Sequence, residues 1–211
     1  MRHRDAFNAL IDTMKVTVAA LREADVEFML GGSMAAWARG GPEPDNDLDL
    51  MVKPDHADAA LEALAGAGLR TERPPEEWLY KAWYGEVMID LIFSPSGLEL
   101  DDVVFERATQ IPVMAVSTQV MAIDDVLVTK LSALNEHALD FTSLLGIARA
   151  LREQIDWRAL EARAGDSPYA RAFFTLVREL GVAPARPAPG DSHPAPAARS
   201  RVRVLPGAER G

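Results

Sequence analysis

Asp47-Leu48-Asp49-Leu50-Met51-Val52 is the stretch on which the reading of the fold turns. Polar and apolar residues alternate at the period of a strand, so Asp47 and Asp49 project from one face while Leu48 and Leu50 enter a core. Two carboxylates so close on one face repel each other unless a cation lies between them. Hard divalent cations suit such a pair, because Mg²⁺ takes oxygen ligands and is commonly held by one or two carboxylates together with substrate phosphates. An alternating Asp/Leu strand is also what a half-exposed sheet contains, and a third carboxylate shifts the balance. Asp90 is the only charge in Val87-Met88-Ile89-Asp90-Leu91-Ile92-Phe93. A strand so apolar is central, and an unpaired aspartate there is costly. Beside strand 47–52 it completes a three-carboxylate cation site; pairing with an arginine, or a place at the strand's exposed end, is the alternative.

Working outward, residues 5–24 read as an amphipathic helix, with Phe7, Leu10, Ile11, Met14, Val18 and Leu21 three to four residues apart. Glu27 to Leu30 is a short apolar strand stopped by Gly31-Gly32, and Ser33 to Ala38 has helical composition. Strand–Gly31-Gly32-Ser33–helix lets backbone N–H groups and the Ser33 hydroxyl face an anion, with glycine permitting the tight turn. The Gly/Pro content of residues 40–44 marks a loop. Pro54 to Leu69 is predicted helical, starting at Pro54-Asp55. Glu77 to Tyr84 and Glu86 to Phe93 are predicted strands of a hairpin turned at Gly85. Two short β segments, Ile111 to Val116 and Gln119 to Ile123, follow. Beyond Asp124 the pattern is helical: 124–136, 139–153, 156–164 and 167–180. The expected fold class is α+β (mixed α/β): an α/β domain over 1–123 with a mixed sheet, then a helical bundle over 124–182, with a cleft between them.

The chain has 211 residues, 48% of them hydrophobic and 26% charged, which excludes wholesale disorder. Its net charge of −10 disfavours a general nucleic-acid coat protein. The absence of cysteine excludes disulfides, Cys-ligated zinc, iron–sulfur clusters and thiol nucleophiles. No stretch approaches the ~18 apolar residues of a membrane span, and Met1 to Leu10 lacks a signal-peptide core, so a cytoplasmic protein with no membrane partner is expected. Residues 183–211 hold six of the 14 prolines and five arginines against Asp191 and Glu209, which predicts a disordered basic tail of charge +3 and leaves −13 on the remainder.

Gly31-Gly32-Ser33, Asp47-x-Asp49 and Asp90 together resemble the nucleotidyltransferase fold of the polymerase-β superfamily, over residues 26–93. The resemblance implies that Gly32 and Ser33 hold a nucleoside triphosphate (NTP) and that Asp47, Asp49 and Asp90 are catalytic and bind Mg²⁺ as a two-ion site. A hydroxyl would attack the α-phosphorus with loss of pyrophosphate, the third carboxylate taking the hydroxyl proton. The helical half is similar to the AbiEii/MenT-type toxins of toxin–antitoxin systems. That similarity implies a catalytic, triphosphate-binding role for Lys130 and a nucleotide-binding role for Asp140, with the 3′ end of tRNA as acceptor and an antitoxin protein as partner. Read without the family, Lys130 is also a snorkelling surface lysine and Asp140 a helix N-cap. A small-molecule acceptor, as in the similar aminoglycoside nucleotidyltransferases, is the alternative, and a non-catalytic binding or antitoxin protein the third reading.

Weaker candidates remain. Asp45, Asp101, Asp124 and Asp125 sit in loops or at a helix start, with Asp124 expected to cap the following helix. His137 is expected at the surface, and Trp78, Trp83 and Tyr84 are either packing or base-stacking residues. Arg149, Arg152, Arg158 and Arg163 form either an RNA-facing patch or ordinary solvated faces.

Overall fold

The computed structural model describes residues 2–44, 47–164 and 167–185. Asp45 and the tail beyond residue 185 lie outside the described residues. The architecture is a mixed α/β fold built on one seven-stranded sheet. In chain order the elements are α1 (Arg2–Glu23), β1 (Phe28–Leu30), α2 (Gly32–Ala38), β2 (Asp47–Val52), a 3₁₀ turn (Pro54–His56), α3 (Ala57–Gly66), β3 (Arg70–Glu72), β4 (Leu79–Tyr84), β5 (Val87–Ile92), α4 (Asp102–Glu106), β6 (Thr109–Val113), β7 (Val116–Val120), α5 (Ile123–Ser132), α6 (Thr142–Leu151), α7 (Trp157–Arg163) and α8 (Pro168–Glu179). Strand order is β3-β4-β5-β2-β1-β7-β6. Pairs β2/β5 and β1/β7 are parallel; β1/β2, β3/β4, β4/β5 and β6/β7 are antiparallel.

Side-chain alternation decides which face is core. Leu48 and Leu50 of β2, Ile89 and Leu91 of β5, and Ala82 of β4 are fully buried, while Asp47, Asp49, Asp90 and Lys81 on the other face are half-buried. Helices α1 and α3 lie against this sheet and each other, and the expected apolar stripe of α1 (Leu10, Ile11, Met14, Val18, Leu21) is buried. Full burial of one such side chain stabilises by about 1.5–3 kcal/mol, so the layer is held mainly by area removed from water. Helix α5 packs on α2, α6, α7 and α8 and joins the helical half to the sheet.

Several segments differ from the sequence expectation. The second hairpin is β6 and β7, not Ile111–Val116 and Gln119–Ile123, because its turn is made by Met114 and Ala115 at φ 46 and 70. Two non-glycine residues in the left-handed region carry no turn signature in the sequence. The helix expected over Pro54–Leu69 begins as a 3₁₀ turn and ends at Gly66, where Gly68 at φ 85 reverses the chain. The polar edge strand β3 and the short α4 had no periodic signal at all. Helix α5 stops at Ser132 rather than 136, and an isolated bridge, Asn135 with Ala138, turns the chain toward α6.

Candidate active site

Register brings the three aspartates together. In the parallel β2/β5 pair Asp49 lies directly opposite Asp90, and Asp47 is two residues along on the same face. One carboxylate oxygen from each of Asp47, Asp49 and Asp90 falls within 4.8 Å of the others. Three like charges at that separation on a partly desolvated surface oppose one another, and a hard divalent cation would offset that repulsion. The all-oxygen donor set and half-exposed position fit Mg²⁺.

The turn between β1 and α2 is built around this cluster. Gly31 N–H donates to the Asp49 carbonyl at 2.9 Å, tying the turn to β2. Gly32 has φ +50, and a Cβ there would lie 1.6 Å from Asp49 Oδ2. Glycine is therefore required twice at 32, by conformation and by the close approach of the carboxylate. Met51, next along the same face, is buried beneath Gly31. Ser33 follows, 8% exposed. At its other end α2 is anchored by Arg39, whose Nε and Nη2 donate to the carbonyls of Met121 and Val120 at 2.8 Å each.

Ser33 also lines a cavity of about 320 Å³ with Pro42, Glu43, Asp140, Thr142, Ser143, Gly146 and Ile147. Ser33 and Asp140, far apart in sequence, thus face one space between α2 and α6. The N-cap of α6 is Phe141, not Asp140; Asp140 Oδ1, one residue before it, accepts from the Thr142 N–H at 2.8 Å, and the hydroxyl and N–H of Thr142 hold its carboxyl below the ordinary value. Lys130 is half-buried in the last turn of α5 and is not among the cavity's lining residues.

One site neighbour escaped the sequence reading. Lys81 of β4 is directly opposite Asp90, and its Nζ donates to Asp90 Oδ1 at 2.8 Å. The signal was present: a two-residue turn at Gly85-Glu86 pairs 84 with 87 and therefore 81 with 90. Glu43, Thr142 and Ser143 were missed because only the tertiary fold brings α6 against the loop after α2.

The weaker candidates fall elsewhere. Asp101 caps α4, accepting from Val104 N–H at 2.9 Å. Asp124 does not cap α5, whose N-cap is Ala122; it accepts instead from Asp156 N–H at 3.2 Å. Burial raises the Asp124 pKa, with the charges of Asp156 and Asp125 acting in the same direction. Asp125 is fully buried, held by both Arg107 nitrogens at 3.0 Å and by Arg163. Arg163 is thereby engaged by a buried carboxylate, and Arg152 pairs with Glu153 at 3.1 Å. Trp83 is half-buried under the Arg70 guanidinium, 3.5 Å from its ring centroid, whereas Trp78 and Tyr84 are exposed. His137 is exposed beside Glu136.

Among the described residues, no helix is long and apolar enough to cross a membrane. The fold is similar to that of ANT(2″)-Ia in complex with adenylyl-2″-tobramycin, at TM-score 0.57 and 12% identity over 79% of this chain and 97% of that one. The solution structure of the antibiotic-resistance factor ANT(2″)-Ia gives TM-score 0.56 and 13% identity, covering 80% and 92%. No protein of curated function matches the chain in sequence. Residues 43–179, which include Asp47, Asp49 and Asp90 and the whole of α5 to α8, match the family described as uncharacterised nucleotidyltransferase, and the chain belongs to that family.

Proposed function

We propose that this protein is a divalent-metal-dependent enzyme that transfers a nucleoside monophosphate from an NTP to an acceptor hydroxyl. The observation that carries the reading is the convergence of Asp47, Asp49 and Asp90 beside the Gly31-Gly32-Ser33 turn. Asp47, Asp49 and Asp90 would hold Mg²⁺, which when bound supplies charge neutralisation at the attacking and leaving oxygens. Ser33 and the backbone of Gly32 orient the triphosphate, and Lys130 contributes positive charge to it. Asp140, lining the cavity with Ser33, contacts the nucleotide. The acceptor oxygen forms its bond to the α-phosphorus as the bond to the pyrophosphate oxygen breaks, and a carboxylate oxygen of Asp90 receives the hydroxyl proton. Division into a nucleotidyltransferase domain over 1–123, a helical bundle over 124–182 and a tail from 183 belongs to the same reading.

The motif resemblance to AbiEii/MenT-type toxins supports the 3′ end of tRNA as acceptor, with an antitoxin partner. A second reading has its own observation: Glu43 and Asp140 give the cavity acidic walls, and the fold neighbour ANT(2″)-Ia is bound to an adenylylated aminoglycoside. A polycationic small molecule suits such walls. The test is transfer of α-³²P label from each NTP, with Mg²⁺, to total tRNA and to aminoglycosides, with Asp49→Ala as control. Labelled tRNA absent in the variant supports the first acceptor, and labelled aminoglycoside supports the second. Label on neither, with no Mg²⁺-dependent NTP binding, sinks the enzyme.

A further inference from the structure

We propose that Lys81 is a positioning residue for the third carboxylate: its ammonium fixes Asp90 and stands in for part of the divalent cation's charge while the site is metal-free. The inference rests on the metal-site reading above and deepens it.

Lys81 and Asp90 are directly opposed in the antiparallel β4/β5 pair, with Nζ 2.8 Å from Oδ1. Both are largely withdrawn from water, their side chains 24% and 14% exposed, so the pair is less screened than a surface ion pair. Met88 Sδ lies 3.5 Å from the same nitrogen and confines the end of the lysine stem. On the far side of Asp90 stand Asp49 and Asp47, so the cluster is bordered by a cation on β4 and anions on β2. A lysine there does two separable things. It neutralises charge that otherwise drives the carboxylates apart, and it competes with a divalent ion for Asp90. An ammonium on a flexible four-carbon stem can do both, because it is a point charge that yields without a rigid bidentate geometry.

The two roles move observables in opposite directions. In Lys81→Met the competing cation is gone, so Mn²⁺ alone, measured by isothermal titration calorimetry, binds tighter by about tenfold. With Asp90 no longer held, kcat for nucleotidyl transfer falls by about 30-fold while the KM for NTP stays within about twofold, since a 1 Å misplacement is enough for such a loss. The melting temperature in EDTA drops, and added Mn²⁺ raises it more than in the wild type, because ligand that binds only the folded state stabilises in proportion to its affinity. Lys81→Arg keeps the charge and returns Mn²⁺ affinity toward wild type.

Mn²⁺ affinity and kcat falling together, with a lower melting temperature in both conditions, would show Lys81 merely holding the hairpin and overturn the proposal. Unchanged affinity and kcat in Lys81→Met would overturn it too, as would Lys81→Arg behaving like Lys81→Met. Wild-type protein that binds no Mn²⁺ overturns the metal-site reading itself, whereas a metal-binding, active wild type with an indifferent Lys81→Met defeats only the role given to lysine.

Discussion

Asp90 and Asp125 are both aspartates withdrawn from water, and the protein treats them in opposite ways. Asp125 is fully buried at the start of α5 and is met by two guanidinium groups, Arg107 through two nitrogens and Arg163. Those arginines come from the α4–β6 connection and from α7, so one carboxylate ties the sheet half to the helical half. Asp90, its side chain 14% exposed, is met by a single flexible lysine and faces two further carboxylates. Planar, permanently charged donors saturate the first; a yielding ammonium and like charges surround the second. The first carboxylate has more fixed positive charge around it than it carries and ties elements together; the second sits among like charges, which is the arrangement the proposed metal site requires.

The contrast breaks most directly at the cluster. Asp49→Asn should lower nucleotidyl transfer by at least about a thousandfold, equivalent to about 4 kcal/mol in the barrier. Its melting temperature in EDTA should be unchanged or higher, because one of three repelling charges is gone. A fully active variant would end the catalytic reading of the cluster. Asp125→Ala should do the reverse, leaving two guanidinium groups without their buried counter-charge. A loss of about 3–5 kcal/mol is expected for breaking such a network, seen as a melting temperature lower by roughly 10 °C. A melt within two or three degrees of wild type would mean that α5 is held by its apolar face alone.

Gly32→Ala tests how tightly the turn is built around Asp49. The new methyl would sit 1.6 Å from Asp49 Oδ2, on a residue at φ +50. The carboxylate has to move or the turn has to open. Activity should fall about a hundredfold, with a stability loss of about 1–2 kcal/mol from the left-handed backbone. Near-normal activity would mean that the Gly31-Gly32-Ser33 turn does not set the position of Asp49.

These positions also mark what the sequence made legible. Asp47, Asp49 and Asp90 were readable because strand period and apolar context are local, and burying Leu48, Leu50, Ile89 and Leu91 on one side puts the three carboxylates on the other; the parallel register that sets Asp49 opposite Asp90 is a tertiary fact. Lys81 was recoverable from the turn at Gly85 but required counting residues across a hairpin. Asp125 was not readable: its meaning depends on Arg107 and Arg163, which only tertiary packing delivers. The β6/β7 turn was hidden for another reason, since Met114 and Ala115 adopt positive φ against their own preference and the surrounding pairing overrides it. Local patterns show which residues share a face, and distant charge partners leave no periodic trace.

Asp124, next to Asp125, gives the smallest and most discriminating test. It lies between the two regimes: burial and the charges of Asp156 and Asp125 oppose its ionised form, while the Asp156 N–H and Arg163 favour it. Burial raises its folded-state pKa above the unfolded value near 4. A raised folded pKa contributes stability that is fully present below the unfolded value and is lost as pH rises through the folded value. At neutral pH the ionised Asp124 therefore opposes folding. Asp124→Asn removes that charge and keeps an oxygen to accept from Asp156 N–H. The variant should melt higher at pH 7, by a few degrees at most, and the gain should vanish as pH is lowered to about 4. A variant that melts lower at pH 7 would place Asp124 with Asp125, as a second anion that the arginines around α5 require.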